Sequence, residues 1–171
     1  LRGSRKEEEI KAIINTLKEL GISEGVHIVP ILVSSRKEEE IKTLVGTLKE
    51  LGISKSSHLA PILSSSRKAE EMKSLIVALK KLGISESAHI AHILRNSRKE
   101  EEIKAIVSML KELGISESAH LALILASARK EEEMLSYINA FMRLKKQIPD
   151  FDIPNSLVVQ MIANPNFITR N

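Results

Sequence analysis

The chain has 171 residues, 43% of them hydrophobic and 28% charged, with no cysteine. This composition suits a globular protein with a sizeable apolar core, excludes disulfides and thiolate metal sites, and leads us to expect a reducing compartment such as cytoplasm, nucleus or nucleoid. The net charge of +4 is unevenly spread: the 31-residue blocks that begin at Ser4, Ser35, Ser66 and Ser97 carry −1, +1, +3 and −1, so no uniform cationic stripe runs along the sequence.

The organising feature is a repeat. Ser35-Arg36-Lys37-Glu38-Glu39-Glu40-Ile41-Lys42 recurs almost verbatim from Ser4 and from Ser97, and in edited form from Ser66 and Ala128. Ile10, Ile41, Met72, Ile103 and Met134 keep a strict 31-residue spacing, the signature of a stacked array. Leu1-Arg2-Gly3 reads in frame with Leu94-Arg95-Asn96. Residues 1–3 are therefore expected to be the remnant of a preceding repeat, residues 4–127 four tandem repeats, and residues 128–171 a divergent fifth repeat and C-terminal cap.

Each repeat divides into a long and a short helix. In the first, Ile10, Ile13, Ile14, Leu17 and Leu20 form one apolar stripe at helical spacing. Ser4 with Glu7 reads as an N-cap and capping box, and the acidic triplet then lies where the helix dipole favours negative charge. Gly21, Gly52, Gly83 and Gly114 are expected to stop the long helices in the left-handed conformation, each followed by an Ile that makes the closing apolar contact. Ser23, Ser54, Ser85 and Ser116 then read as caps of a short helix of roughly ten residues. Pro30 and Pro61 fall late in that helix, where they should kink or shorten it, while His92 and Leu123 should leave it straighter.

The fifth repeat departs from the pattern. Lys145 stands where Gly is expected, residues 145–151 behave as an insertion, and the frame resumes at Asp152-Ile153-Pro154. A closing helix is predicted from about Asn155 to Ala163. The aromatic residues, Tyr137, Phe141, Phe151 and Phe167, all lie here, as expected where a terminal repeat must cover a stacking face. The fold class that follows is all-α, an α-solenoid of two-helix 31-residue repeats with a divergent C-terminal capping repeat.

In such an array, function is sought where the repeats differ. The pairs Arg2-Gly3, Val33-Ser34, Ser64-Ser65, Arg95-Asn96 and Ala126-Ser127 precede the long helices, at equivalent turns. With the Gly21-Ile22-Ser23 stop, this arrangement resembles the repeats of TAL effectors, in which a variable residue pair lies between a short and a long helix. That resemblance implies duplex DNA as ligand. Gly3, Ser34, Ser65, Asn96 and Ser127 would face bases and the residues before them would brace the loop. Arg36-Lys37, Arg67-Lys68 and Arg98-Lys99 would meet phosphate beside a helix N-terminus.

A second resemblance covers the same residues, 1 to about 144. His27-Ile28-Val29-Pro30-Ile31-Leu32, followed by a long helix that ends Leu-Lys-Glu-Leu-Gly-Ile-Ser, is similar to mitochondrial transcription termination factor repeats. These share a Pro-x-Leu segment after a short helix, and the resemblance implies a solenoid that binds nucleic acid. The alternative expectation is a scaffold solenoid whose ligand is another protein.

His27, His58, His89 and His120 share one position at the margin of the short helix. Neighbouring helices pack roughly 8–10 Å apart, so one His per repeat is too open a ladder for a metal ion; semi-buried structural histidines are expected, with no metal and no cofactor. No Gly-x-Ser-x-Gly, phosphate-cradling loop or Cys/His pairing is present, so neither an enzyme nor a small-molecule substrate is expected. No apolar run approaches the ~20 residues of a membrane span.

Overall fold

The computed structural model describes residues 6–150 and 152–166. Among them are ten α-helices: α1 (Glu7–Glu19), α2 (Gly25–Val33), α3 (Glu38–Glu50), α4 (Ser56–Ser64), α5 (Ala69–Lys81), α6 (Ser87–Leu94), α7 (Glu100–Glu112), α8 (Ser118–Leu125), α9 (Glu131–Gln147) and α10 (Asn155–Ala163). Long and short helices alternate, and the fold is all-α, a helical-repeat solenoid. Compaction divides the chain into two units, residues 1–77 and 78–171, with the division inside α5 rather than at a repeat boundary.

In the first unit α1 packs against α3 and α2 against α4; in the second α7 packs against α9, α6 against α8, and α10 against both α8 and α9. The apolar stripes supply the core. Ile41, Leu44, Val45 and Leu48 of α3, and Ile103, Ile106, Val107 and Leu110 of α7, are buried, each such side chain contributing about 1.5–3 kcal/mol relative to exposure. Thr16, in the α1 stripe, is also buried.

The glycine stops form as the sequence predicts. Gly21, Gly52, Gly83 and Gly114 have φ of 90°, 86°, 93° and 90°. At the first, Gly21 N–H donates to Lys18 O at 3.0 Å and Ile22 N–H to Leu17 O at 2.8 Å, the paired bonds of a Schellman motif. Ile22, Ile53, Ile84 and Ile115 are buried beneath these turns.

The N-termini differ from expectation. The long helices begin three residues after the serine, with Lys6, Lys37, Lys99 and Lys130 at the N-cap and no side-chain cap bond. Ser35 and Ser97 are exposed and outside the helices, and Ser4 lies outside the described residues. The glutamates expected to complete capping boxes are instead the first helical residues. Likewise Glu24, Lys55, Glu86 and Glu117, rather than the preceding serines, hold the N-cap position of the short helices.

Proline does not shorten the short helices: α2 and α4, which contain Pro30 and Pro61, have nine residues, whereas α6 and α8 have eight. The carbonyl that loses its helical donor to Pro30 belongs to Val26, which is 73% exposed, so solvent can serve it and the break costs little.

At the C-terminal end, the missing glycine lets α9 run to 17 residues against 13 for the other long helices. α10 occupies the predicted range and buries Val158, Val159 and Ile162. Phe141 is buried, and Tyr137 places its ring 4.6 Å from the Arg129 guanidinium carbon, a cation–π contact. Phe151 and Phe167 lie outside the described residues.

Candidate nucleic-acid interface

The edge where a short helix turns into the next long helix carries the residues expected to face nucleic acid. Its Arg-Lys pairs split into two structural roles. Arg36, Arg67 and Arg98, and their equivalent Arg129, are 5%, 6%, 7% and 5% exposed. Lys37, Lys68, Lys99 and Lys130 are exposed.

The arginines are inward buckles. Arg36 Nε donates to Leu63 O at 2.8 Å, and Nη2 donates to Ser65 O at 2.9 Å and also to Arg67 O. Nη1 pairs with Glu40. Arg98 repeats the pattern: Nε to Leu125 O at 3.0 Å, Nη2 to Ser127 O at 2.8 Å and to Arg129 O at 2.5 Å, and Nη1 to Glu102. Arg67 pairs with Glu71 at 3.0 Å. Leu63 and Leu125 lie in the last turns of α4 and α8, so Arg36 and Arg98 supply donors to the orphan carbonyls of the next short helix and set a positive charge at its C-terminus. A buried guanidinium with four of its five donors committed to carbonyls and a carboxylate is poorly placed to meet a phosphate. This corrects the expectation for Arg36 and Arg98, which hold neighbouring repeats together; Arg67 is likewise buried and paired with Glu71 rather than turned outward.

The turn pairs are also braced from within. Ser34 Oγ donates to Ile31 O at 2.6 Å, and Ser64 Oγ to Pro61 O at 3.0 Å. Asn96 Nδ2 donates to Leu125 O at 2.6 Å, while its Oδ1 accepts from Arg98 N–H at 3.3 Å. Ser127 Oγ accepts from Arg129 N–H at 3.0 Å, and Ser65 Oγ is buried. The second members of the pairs, expected to face bases, are thus half-buried and turned to the backbone where their bonds are seen. Val33 and Arg95, expected to brace, are exposed, and Ala126 is half-buried. The short polar side chains satisfy turn donors and acceptors locally, which outcompetes an outward pose. Arg2 and Gly3 lie outside the described residues.

The glutamate triplet has three distinct surroundings. Glu38 accepts from the buried Thr16 hydroxyl at 2.7 Å and pairs with Lys42 at 3.0 Å. The Thr16 bond first, then Lys42, hold its carboxyl below the ordinary value, while hydrogen bonding to Glu38 and Glu39 holds the Lys42 ammonium above its own. Lys104, paired with Glu100 at 2.7 Å, is raised for the same reason. Glu40 and Glu102 hold the buckles. Glu39 and Glu101, with side chains 85% and 88% exposed, face solvent.

A second set of lysines works in the opposite direction along the chain. Lys49 Nζ donates to Leu20 O at 3.1 Å, Lys111 Nζ to Leu82 O at 3.0 Å and Lys145 Nζ to Leu113 O at 2.9 Å. Each closes the C-terminus of the preceding long helix. Lys145, displaced from the usual register, does so because α9 continues past the normal stop, and Asn155 Nδ2 adds a bond to Gly114 O at 3.0 Å.

Sequence reasoning missed both clamps. A signal for the first was available: when the fifth repeat loses its leading serine to Ala128, it keeps Arg129. An arginine retained where the cap is lost is not a cap accessory.

His27, His58, His89 and His120 are half-buried, with His27, His89 and His120 at 3.8, 3.7 and 3.5 Å from Glu24, Glu86 and Glu117. His89 Nδ1 also lies 3.1 Å from Ser118 Oγ. Among the described residues no group of three His, Cys, Asp or Glu is placed to hold a metal ion, and no helix is long and apolar enough to cross a membrane.

Among the described residues, one lysine at each long-helix start is exposed, with Val33 and Arg95 exposed in the turns before Lys37 and Lys99. In the second unit an open cleft of about 550 Å³ lies beside Lys130, lined also by Asn96, Ser127 and Glu131.

Neither the curated proteins nor the solved structures yield a match to this chain. The family comparison supports the resemblance to mitochondrial transcription termination factor repeats, not that to TAL effectors. The mTERF family model matches residues 1–165, and the chain belongs to that family, one of helical-repeat nucleic-acid-binding factors rather than enzymes.

Proposed function

We propose that this chain is a non-catalytic nucleic-acid-binding module whose ligand is duplex DNA, held through the turn edge. The observation that carries the reading is the exposed lysine at the N-cap of the long helices: Lys37, Lys99 and Lys130 each precede a helix start with no side-chain cap bond, and Lys68 is their exposed equivalent. A phosphate there meets an ammonium, free backbone N–H groups and the positive end of a helix together. Val33 in the first unit and Arg95 in the second, the exposed members of the turn pairs, lie in the turns before Lys37 and Lys99. Aromatic side chains are absent from residues 1–136, which disfavours recognition of single strands by base stacking.

A protein-binding reading draws on one observation, the exposure of Glu39 and Glu101 beside these lysines, since a phosphate backbone is repelled there. A fluorescence titration with duplex at low salt separates the two. DNA binding requires affinity that falls steeply as salt rises; no affinity tighter than ~100 μM, the weak end of non-specific binding, rejects it.

A further inference from the structure

The turn between a short helix and the next long helix has two ends of opposite polarity. Lys37, Lys99 and Lys130 stand at the N-termini of long helices, where free N–H groups and the helix dipole favour an anion. The first member of each turn pair stands instead at the end of a short helix, where the dipole is negative. Among the described residues, Val33, Ser64, Arg95 and Ala126 hold that position. Val33 and Ala126 carry no polar side-chain group, and Ser64 donates its hydroxyl to Pro61 O. Of these four, Arg95 offers free donors.

The Arg95 side chain is exposed and meets no acceptor among the described residues, whereas Arg36, Arg67, Arg98 and Arg129 are buried. Its backbone is fixed. Arg95 is the C-cap of α6, with φ −66° and ψ −29°, and its N–H donates to Ala91 O at 3.3 Å. Asn96 is pinned by three bonds: its N–H to Ile93 O at 3.3 Å, its Nδ2 to Leu125 O at 2.6 Å, and its Oδ1 from Arg98 N–H at 3.3 Å. The second member of this pair thus holds the turn in place, and the first stands exposed on a fixed base. Through Asn96 the same turn lines the open cleft of about 550 Å³, together with Lys130.

We infer, resting on the reading of the ligand as duplex DNA, that Arg95 reads a guanine edge in the major groove, while the lysines of the edge hold phosphates without reading sequence. A guanidinium is a planar fork that matches the O6 and N7 acceptors of guanine. A base edge is uncharged, so the negative end of α6 disfavours it far less than it disfavours a phosphate. A fixed backbone beneath the side chain lowers the ordering cost of one bound pose, and discrimination between bases needs such a pose.

The test selects duplexes from a randomised library with the full chain, then titrates the selected duplex and its single-pair variants at several salt concentrations. The parent should prefer G·C at one pair by about tenfold or more. Arg95→Ala should abolish that preference with the salt slope little changed. Arg95→Gln should move it to A·T, because a carboxamide pairs with N6 and N7 of adenine; loss of a merely structural contact would not redirect it. Both variants should melt with the parent, because Arg95 is exposed. The inference is overturned if the parent binds all duplexes alike, if the G·C preference survives in either variant, or if Arg95→Ala weakens every sequence equally and lowers the slope by about one, the mark of a phosphate contact. Binding without base preference leaves the proposed function standing, whereas absence of duplex binding rejects both.

Discussion

Arg36 and Leu63, 27 residues apart in sequence, are joined by a 2.8 Å hydrogen bond from Nε to the backbone carbonyl, and Arg98 and Leu125 reproduce the relationship at 3.0 Å. A charge near a helix start thus secures the end of the next short helix. Lysines do the converse, closing the end of the long helix before them. Both clamps use a cation on carbonyls that a helix leaves unpaired.

Replacing Arg98 by Met should destabilise the second unit by about 3 kcal/mol, because the carbonyls of Leu125, Ser127 and Arg129 lose a donor and Glu102 loses its partner. Arg98→Lys should recover little of this, since an ammonium cannot reproduce the planar fork. Urea unfolding followed by circular dichroism measures both; an Arg98→Lys midpoint at the parental value contradicts the buckle.

Gly83→Ala should cost about 1 kcal/mol through the backbone alone: φ is +93° and no neighbouring atom lies within 4 Å of the added carbon. Gly83→Asn should cost less, because Asn tolerates the left-handed region better. Thermal melts of the two variants, compared with the parent, check the order.

Under the proposed function, Lys37→Ala, Lys68→Ala and Lys99→Ala combined should weaken duplex binding and lower the slope of log affinity against log salt by about one for each phosphate that is no longer neutralised. Binding and slope identical to the parent protein would place the phosphates elsewhere on the surface. Folding should be little changed, because all three side chains are exposed.

The Glu38 carboxyl is held below its ordinary value of 4.5, first by Thr16 and then by Lys42. A depressed folded value contributes stability that is present above 4.5 and is lost as pH falls through the folded value. Thr16→Val should therefore move the Glu38 titration, followed by NMR, upward towards its ordinary position. The Lys42 ammonium is shifted the other way, above 10.5, so its contribution is present below that pH and is lost as pH rises through the folded value. A Glu38 titration unmoved by Thr16→Val would deny the hydroxyl its role.

By itself the sequence determined the repeat period, the alternation of long and short helices, the glycine stops and the place of the closing helix. These rest on local signals: apolar residues at helical spacing, and Gly where a left-handed residue must follow. The fate of the charged residues was not legible in the same way. Arg36 and Lys37 are neighbours of like charge, yet one is buried against Leu63, Ser65 and Arg67 and the other is exposed. Which of them reaches the carbonyls of α4 depends on where α4 lies once repeats have stacked. Asn96 turns inward to Leu125 O, a partner that stacking supplies, whereas Ser34 bonds the Ile31 carbonyl three residues back. Local sequence thus set the elements, while only the tertiary structure decided which charges hold the array together and which are left on its surface for a ligand.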